Sequence, residues 1–319
     1  MAEADKLRVT LIDLLPPAAD PADELRAGLA APEARIAPKF FYDALGCKLF
    51  EAICELPEYS LPRDEAVILR RNQRDIARRI GTGGTLIDVG AGNCAKAERL
   101  FAVLRPRQYV AVDIAADFLQ AQLDALAQRH AGIDIVGLAA DFSRGLVLPA
   151  GVAGPRRVVF YPGSSIGNFS AGEAAALLAG FNATCDGGHL LLGADLVKDE
   201  AAMVAAYDDA LGVTAAFNLN VLQVVNRLAD TDFEPADWRH VALFNADQSR
   251  IEMHVEARRR VDVAWPGGER RFAAGERIHT ENSYKYTLPG LTGMLRDAGF
   301  CDIVHFTDAA QRFAVLLAS

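Results

Sequence analysis

Residues Thr85-Leu86-Ile87-Asp88-Val89-Gly90-Ala91-Gly92-Asn93 form an apolar run that ends in two glycines. About twenty residues later, Tyr109-Val110-Ala111-Val112-Asp113 forms a second apolar run that ends on a carboxylate. The first pattern predicts a buried strand turning tightly into a helix, with Gly90 and Gly92 leaving the backbone open to a ligand. Asp113 stands where it can accept hydrogen bonds from both hydroxyls of a ribose. The chemistry implied is the binding of a nucleoside-bearing cofactor at the carboxyl edge of a parallel sheet. Ala95 occupies the place of a third glycine, so the full dinucleotide fingerprint is missing. Asp141-Phe142, after a third apolar run at Ile133–Leu138, can add a carboxylate for an adenine amino group and a ring to lie against it. Taken alone, the same pair reads as a helix cap and a core phenylalanine.

These residues need a scaffold, and the sequence describes one. Short apolar strands at Leu86–Val89, Tyr109–Asp113, Ile133–Leu138, Arg157–Tyr161 and His189–Asp195 alternate with helices near Ala95–Val103, Ala116–Arg129 and Gly172–Thr184. Such alternation predicts a parallel sheet covered on both faces. At the end of the chain, Cys301–Phe306 and Phe313–Ala318 are strands joined by too few residues for a parallel crossover, so they must be antiparallel. The expected sheet is seven-stranded, mostly parallel and doubly wound, ending in an antiparallel hairpin; it resembles the architecture expected of class I S-adenosylmethionine-dependent methyltransferases and not of NAD dehydrogenases. S-adenosylmethionine also suits the loop, since it carries no pyrophosphate to seat on the helix N-terminus.

Residues 196–286 break the rhythm, with helices at Asp199–Leu211 and Leu219–Leu228. A strand over Arg250–Val263 turns at Pro266-Gly267-Gly268 into Arg270–Ala273. With residues 1–60 they are expected to form a smaller α+β substrate domain, leaving 61–195 and 287–319 as the cofactor domain. Pro38–Glu55 reads as one helix and Arg63–Ile80 as another. The first 35 or so residues read as a short strand near Val9–Leu14 and a loose lead-in.

With 319 residues, 51% hydrophobic and 24% charged, the composition is that of an ordinary globular protein. The net charge of −9 argues against a nucleic-acid partner. Five scattered cysteines without C-x-x-C spacing fit reduced thiols in the cytoplasm. Neither a signal peptide nor a membrane-spanning run is legible, and the histidines lack metal-ligand spacing, so no metal is expected. After the fourth strand, Gly163-Ser164-Ser165-Ile166-Gly167-Asn168 offers backbone that a small ligand can approach and an amide that can bind a carboxylate or an amine.

Further motifs occur in order along the chain: Pro38-Lys39-Phe40-Phe41-Tyr42-Asp43, Leu49-Phe50-Glu51-Ala52-Ile53, Leu56-Pro57-Glu58-Tyr59, Gly163–Asn168 and Gly193–Asp199. They continue with Ala206-Tyr207-Asp208-Asp209, Gly212–Asn220, Ile251-Glu252-Met253 and Thr280–Lys285. In this combination the chain resembles the L-histidine Nα-methyltransferases of ergothioneine biosynthesis, from about residue 36 to its C-terminus. The resemblance implies that Asn168 and Tyr207 bind the carboxylate of histidine. It implies that Tyr59, Glu281 and Ser283 address the imidazole with Met253 against the ring, and that Tyr42 and Gly163 lie near the amine. It implies binding of S-adenosylmethionine through Gly90, Gly92, Lys96, Asp113, Asp141 and Phe142 and three methylations of the α-amine. A monomer is expected. The cofactor loop keeps the family's glycines and Lys96 but lacks the hydroxyls of the usual Gly-Ser-Gly-Thr-Ser-x-Lys-Thr. Without the resemblance, Glu281 and Ser283 read as a solvated strand edge, Tyr207 as a surface-helix residue and Met253 as core. A different amino acid or small amine then stays open as the acceptor.

Overall fold

The computed structural model describes residues 9–15, 20–142, 145–152 and 154–319. In chain order its elements begin with β1 (Val9–Asp13), α1 (Pro21–Ala30), α2 (Ala44–Glu55), α3 (Leu61–Ile80), β2 (Thr85–Val89) and α4 (Ala95–Leu104). Next come β3 (Gln108–Asp113), α5 (Ala116–Arg129), β4 (Asp134–Ala139), β5 (Arg157–Tyr161), α6 (Ala171–Cys185) and β6 (His189–Asp195). The remainder is α7 (Glu200–Ala205), α8 (Val213–Ala229), β7 (Trp238–Asn245), β8 (Arg250–Ala257), β9 (Val261–Trp265), β10 (Gly268–Phe272), β11 (Arg277–Tyr284), α9 (Leu288–Asp297), β12 (Ile303–Thr307) and β13 (Phe313–Ala318). The chain divides into two units, one of residues 9–15, 63–196 and 286–319, the other of 20–62 and 197–285.

The first unit is built on one sheet in the order β1-β4-β3-β2-β5-β6-β13-β12. β1 to β6 run parallel, whereas β13 is antiparallel to both β6 and β12. The closing hairpin is therefore as expected, and the physical reason is the short β12–β13 connection. The sheet has eight strands, one more than the seven expected. The extra strand is β1, which pairs Val9 to Asp13 along the free edge of β4. Its residues thus lie with the sheet and not with the rest of 1–60, because an unpaired edge offers main-chain partners to a short apolar strand. The strands are buried along most of their length, as in a sheet covered on both faces. Strand order reverses between β2 and β5, so the carboxyl ends of β2, β3 and β5 face the crevice where such sheets bind ligands.

The second unit has its own core, including Leu25, Leu29, Phe41, Phe217, Val221, Trp238 and Ile278. A three-stranded antiparallel sheet, β11-β8-β7, carries it, with β9 and β10 as a separate hairpin. Several local expectations change here. The single strand Arg250–Val263 is broken at Arg258–Arg260, where the consecutive arginines lie exposed. The helix expected at Asp199–Leu211 is limited to α7, and α8 begins six residues before Leu219. Residues 20–35 hold α1, capped by the Asp20 side chain on the Ala22 N–H, where a loose lead-in was expected. The lead-in over residues 1–8 and 16–19 lies outside the described residues.

The helix expected over Pro38–Glu55 is interrupted at Tyr42-Asp43. A 3-10 turn at Pro38–Phe41 ends there and α2 starts anew, with the Asp43 carboxylate capping the Gly46 N–H at 2.8 Å. Asp43 is also held from α8, by Asn220 at 2.9 Å and Arg227 at 3.1 Å. This corner sets the direction of Tyr42, and Gly46 permits it: a Cβ there would meet the Phe41 carbonyl oxygen at 1.7 Å. Gly46→Ala is therefore expected to destabilise the second unit by about 3 kcal/mol, since the obstacle is backbone and cannot swing aside. Chemical denaturation followed by far-UV dichroism checks this; a midpoint equal to that of the wild type would refute it.

Candidate active site

In the first unit, the residues expected at the cofactor loop converge on the carboxyl ends of β2, β3 and β4. Gly90 and Gly92 have φ of +73° and +51°, in the left-handed region that their lack of a side chain makes accessible. The Gly90 and Ala91 N–H groups donate to the Val112 carbonyl, which ties the turn to β3. Asp113 ends β3 and accepts from the Gly92 N–H at 2.8 Å and the Ala115 N–H at 3.1 Å. Each carboxylate oxygen uses one lone pair this way and keeps another for a ligand. A Cβ on Gly92 would meet nothing within 4 Å, so the turn borders open space. Phe142 lies against Gly90, with a Cβ there 3.8 Å from its ring, and packs on Tyr161 and Phe169 at 5.8 and 6.4 Å. Asp141 follows β4 directly before Phe142. A carboxylate, a ring and a side-chain-free turn around one opening fit the ribose and adenine of S-adenosylmethionine.

Beneath the turn, Asp88 is buried and accepts from the Tyr109 hydroxyl at 2.7 Å. Burial pushes its carboxyl up to about 7. After β5, Gly163 has φ +78° and Ser164 φ +60°, and a short 3-10 turn carries Asn168 to an exposed position. Lys96, in the first turn of α4, is paired with Glu65 of α3 at 2.8 Å.

In the second unit, the other expected residues gather around β8 and β11. Met253 on β8 stands directly opposite Glu281 on β11. Tyr42, Phe50, Tyr59 and Tyr207 follow one another edge to face, with ring centres 5.7, 6.4 and 5.9 Å apart. Glu281, Ser283 and Tyr207 are all buried. The reading of Glu281 and Ser283 as a solvated strand edge is therefore overturned, as is Tyr207 as a surface residue.

A bulge is responsible. The β11–β8 register slips between His279 and Glu281, so the buried positions run Ile278, Thr280 and then Glu281, Ser283 and Lys285. The extra residue changes which face the following side chains occupy. Asn218 of α8 stabilises the bulge: its side-chain oxygen accepts from the Thr280 hydroxyl at 2.8 Å, and its amide donates to the His254 carbonyl at 2.9 Å. The Thr280 hydroxyl also lies 2.9 Å from the Met253 carbonyl.

Glu281 is 9% exposed, and among the described residues no hydrogen bond reaches its carboxylate. Burial pushes it up to about 7, against the opposing pull of the Lys285 ammonium. Lys285 is 3% exposed and donates to the Tyr207 and Ser283 hydroxyls, at 2.9 Å each, while those two oxygens are 2.7 Å apart. Because the ammonium occupies a lone pair on both oxygens, the hydroxyl proton not shared between them must point away from it. Tyr42 is 44% exposed, yet the protein around its phenol, with Glu281 next in effect, raises the pKa above that of ordinary tyrosine. Burial and the neighbouring Tyr207 act likewise on Tyr59. Both are neutral phenols at neutral pH, able to orient an amine but not to act as phenolate bases. Sequence reading missed Lys285, although its place two residues beyond Ser283 on the same strand face is a usable signal. It also missed Glu65 and Asn218, whose roles depend on contacts remote in sequence.

Residues 21–319 match the model of a family described as histidine-specific, S-adenosylmethionine-dependent methyltransferases. The chain belongs to this family. This methyltransferase is 41% identical over 302 residues to the histidine N-alpha-methyltransferase of Mycolicibacterium smegmatis, covering 92% of this chain and 93% of that protein. It is 38% identical over 304 residues to the histidine N-alpha-methyltransferase of Mycobacterium tuberculosis, covering 93% and 94%. It is also 29% identical to the ergothioneine biosynthesis protein 1 of Neurospora crassa, covering 83% of this chain and 31% of that longer protein.

Proposed function

We propose that this methyltransferase transfers three methyl groups in succession from S-adenosylmethionine to the α-amino nitrogen of L-histidine, forming trimethylhistidine for ergothioneine biosynthesis. The observation that carries the reading is the buried face of β11. It presents a carboxylate at Glu281 and a hydroxyl at Ser283, two residues apart, backed by the cation of Lys285. An imidazole ring has one N–H donor and one nitrogen acceptor, and a carboxylate with a hydroxyl is the complementary pair. Met253, opposite Glu281, supplies an apolar surface for the ring, and Tyr59 closes the aromatic wall. Tyr207 and Asn168 are assigned to the carboxylate of histidine, and Tyr42 and the Gly163 backbone to its amine.

S-adenosylmethionine, when bound, supplies an electrophilic methyl group on a sulfonium. Gly90, Gly92, Lys96, Asp113, Asp141 and Phe142 would hold it. The acceptor nitrogen must be unprotonated before each transfer, and its proton passes to solvent. In the first two transfers neutral Tyr42 can accept from a remaining N–H and so turn the lone pair; the dimethylated nitrogen of the third has no N–H to donate. Positioning is the larger contribution open to the protein, since aligned reactants can gain roughly 7–11 kcal/mol at best. The reading also takes the enzyme to be a cytoplasmic monomer that uses free histidine, in keeping with its acidic charge and with five cysteines that lack C-x-x-C spacing.

The test is a competition of all twenty amino acids as methyl acceptors, read by mass spectrometry. Histidine alone is expected to gain three methyl masses. No gain on histidine, or a preference for another amino acid, would overturn the assignment.

A further inference from the structure

Glu65 belongs to α3, a helix that no sequence motif singles out, and it is 2% exposed. One of its oxygens accepts from the Gly163 N–H at 2.7 Å, and the other accepts from the Lys96 ammonium at 2.8 Å. The neighbouring strand makes room for this carboxylate. Gly193 on β6 lies beside it, and a Cβ there would come within 2.1 Å of the oxygen that holds Gly163. Gly163 leaves space in turn for Lys96, whose ammonium would lie 2.8 Å from a Cβ at that position. Two helices, one strand and one loop thus meet at a single buried carboxylate.

A buried ion pair is weak evidence for stability alone, since an apolar pair of similar size often serves the fold as well. This pair has a further property. The Lys96 side chain is 38% exposed, and two of its three N–H donors have no protein partner among the described residues. Glu65 therefore anchors one side of the ammonium and leaves its remaining N–H groups available to a further acceptor. At the same time it fixes the orientation of the peptide at Gly163, the residue assigned to the acceptor amine.

We propose that Glu65 is a positioning residue that aims Lys96 at the amino-acid carboxylate of the cosubstrate and holds the Gly163 peptide for the acceptor amine. The inference rests on the function proposed above for the identity of the two ligands. Its two arms are separable by substitution. In Glu65→Gln the side-chain carbonyl still accepts from Gly163, but the amide NH2 faces the ammonium, so only the Lys96 arm is lost. In Glu65→Met both arms are lost.

The experiment measures S-adenosylhomocysteine binding by calorimetry, histidine KM and kcat, and melting temperature for both variants and for Lys96→Met. Glu65→Gln is expected to weaken S-adenosylhomocysteine about tenfold, the worth of one charge-assisted hydrogen bond, with histidine KM within twofold of wild type. Glu65→Met is expected to weaken S-adenosylhomocysteine to a similar degree and to raise histidine KM about tenfold as well. In a Lys96→Met background, Glu65→Gln should change S-adenosylhomocysteine affinity less than twofold. Wild-type affinity in Glu65→Gln would overturn the proposal. So would an equal rise of histidine KM in both variants, or losses that track the fraction unfolded. A wild type that bound no S-adenosylhomocysteine would sink the functional assignment together with this inference; variants that bound it as tightly as a binding wild type would sink the inference alone.

Discussion

Glu281→Gln is expected to make the ligand-free protein more stable at pH 8 by about 3 kcal/mol, while lowering kcat/KM for histidine about 100-fold. The stability gain follows from linkage. The Glu281 carboxyl titrates near 7 in the fold and near 4.5 when ordinarily solvated, because burial opposes its charge. Above pH 7 it is ionised in both states, and the fold carries the full cost of the buried charge. As pH falls from 7 towards 4.5 the folded state takes up the proton first and stability rises. The advantage of the neutral glutamine should therefore be largest above pH 7 and vanish below about 4.5. Urea titrations at pH 8 and pH 5 check this, and equal midpoints for the two proteins at pH 8 would refute it.

The catalytic loss comes from the same charge. An ionised acceptor strengthens a hydrogen bond from an imidazole N–H, and such bonds contribute about 1.5–3 kcal/mol, or roughly ten- to a hundredfold. A residue that costs stability when empty and is used when occupied is the expected signature of a binding group. If Glu281→Gln kept its histidine kcat/KM, the imidazole assignment would fall even if the stability change appeared.

Removing Asp113 should have a comparably large effect on the cosubstrate. Asp113→Ala deletes the acceptor for the Gly92 and Ala115 N–H groups as well as the group assigned to the ribose hydroxyls. Affinity for S-adenosylhomocysteine is expected to fall at least about 100-fold, the sum of two weakened charge-assisted bonds. Asp113→Asn keeps one acceptor oxygen and should fall between the two. Calorimetric titration decides the matter, and binding within threefold of wild type in Asp113→Ala would mean that the glycine turn holds its shape and its ligand without this carboxylate.

The two groups of candidate residues differ in how legible they are. The glycine turn and Asp113 could be read because both sit at the ends of strands whose apolar runs announce them, and the spacing of a βαβ unit brings such ends together. The closing hairpin is legible for the same local reason, the shortness of the 308–312 connection. The eighth strand is legible as a strand, but its partner is not, since pairing with β4 across more than 120 residues leaves no mark in local sequence. The acceptor residues were reachable only through family resemblance. Glu281 and Ser283 have the composition of an exposed edge, and nothing in Thr280–Lys285 alone tells which face they take.

The alternating sheet, its glycine turn and the carboxylate at the end of β3 follow from local pattern, because strand and helix periodicity are encoded within a few residues. Tertiary structure alone decided that Glu281, Ser283 and Lys285 lie inside. The extra residue at Thr280 shifts the strand's two-residue period, and Asn218, more than sixty residues earlier, holds that shift in place. Glu65 is a case of the same kind. Its carboxylate acquires a role only where α3, α4, β6 and the Gly163 loop converge. Such convergence depends on long-range packing, which the local pattern of residues does not carry.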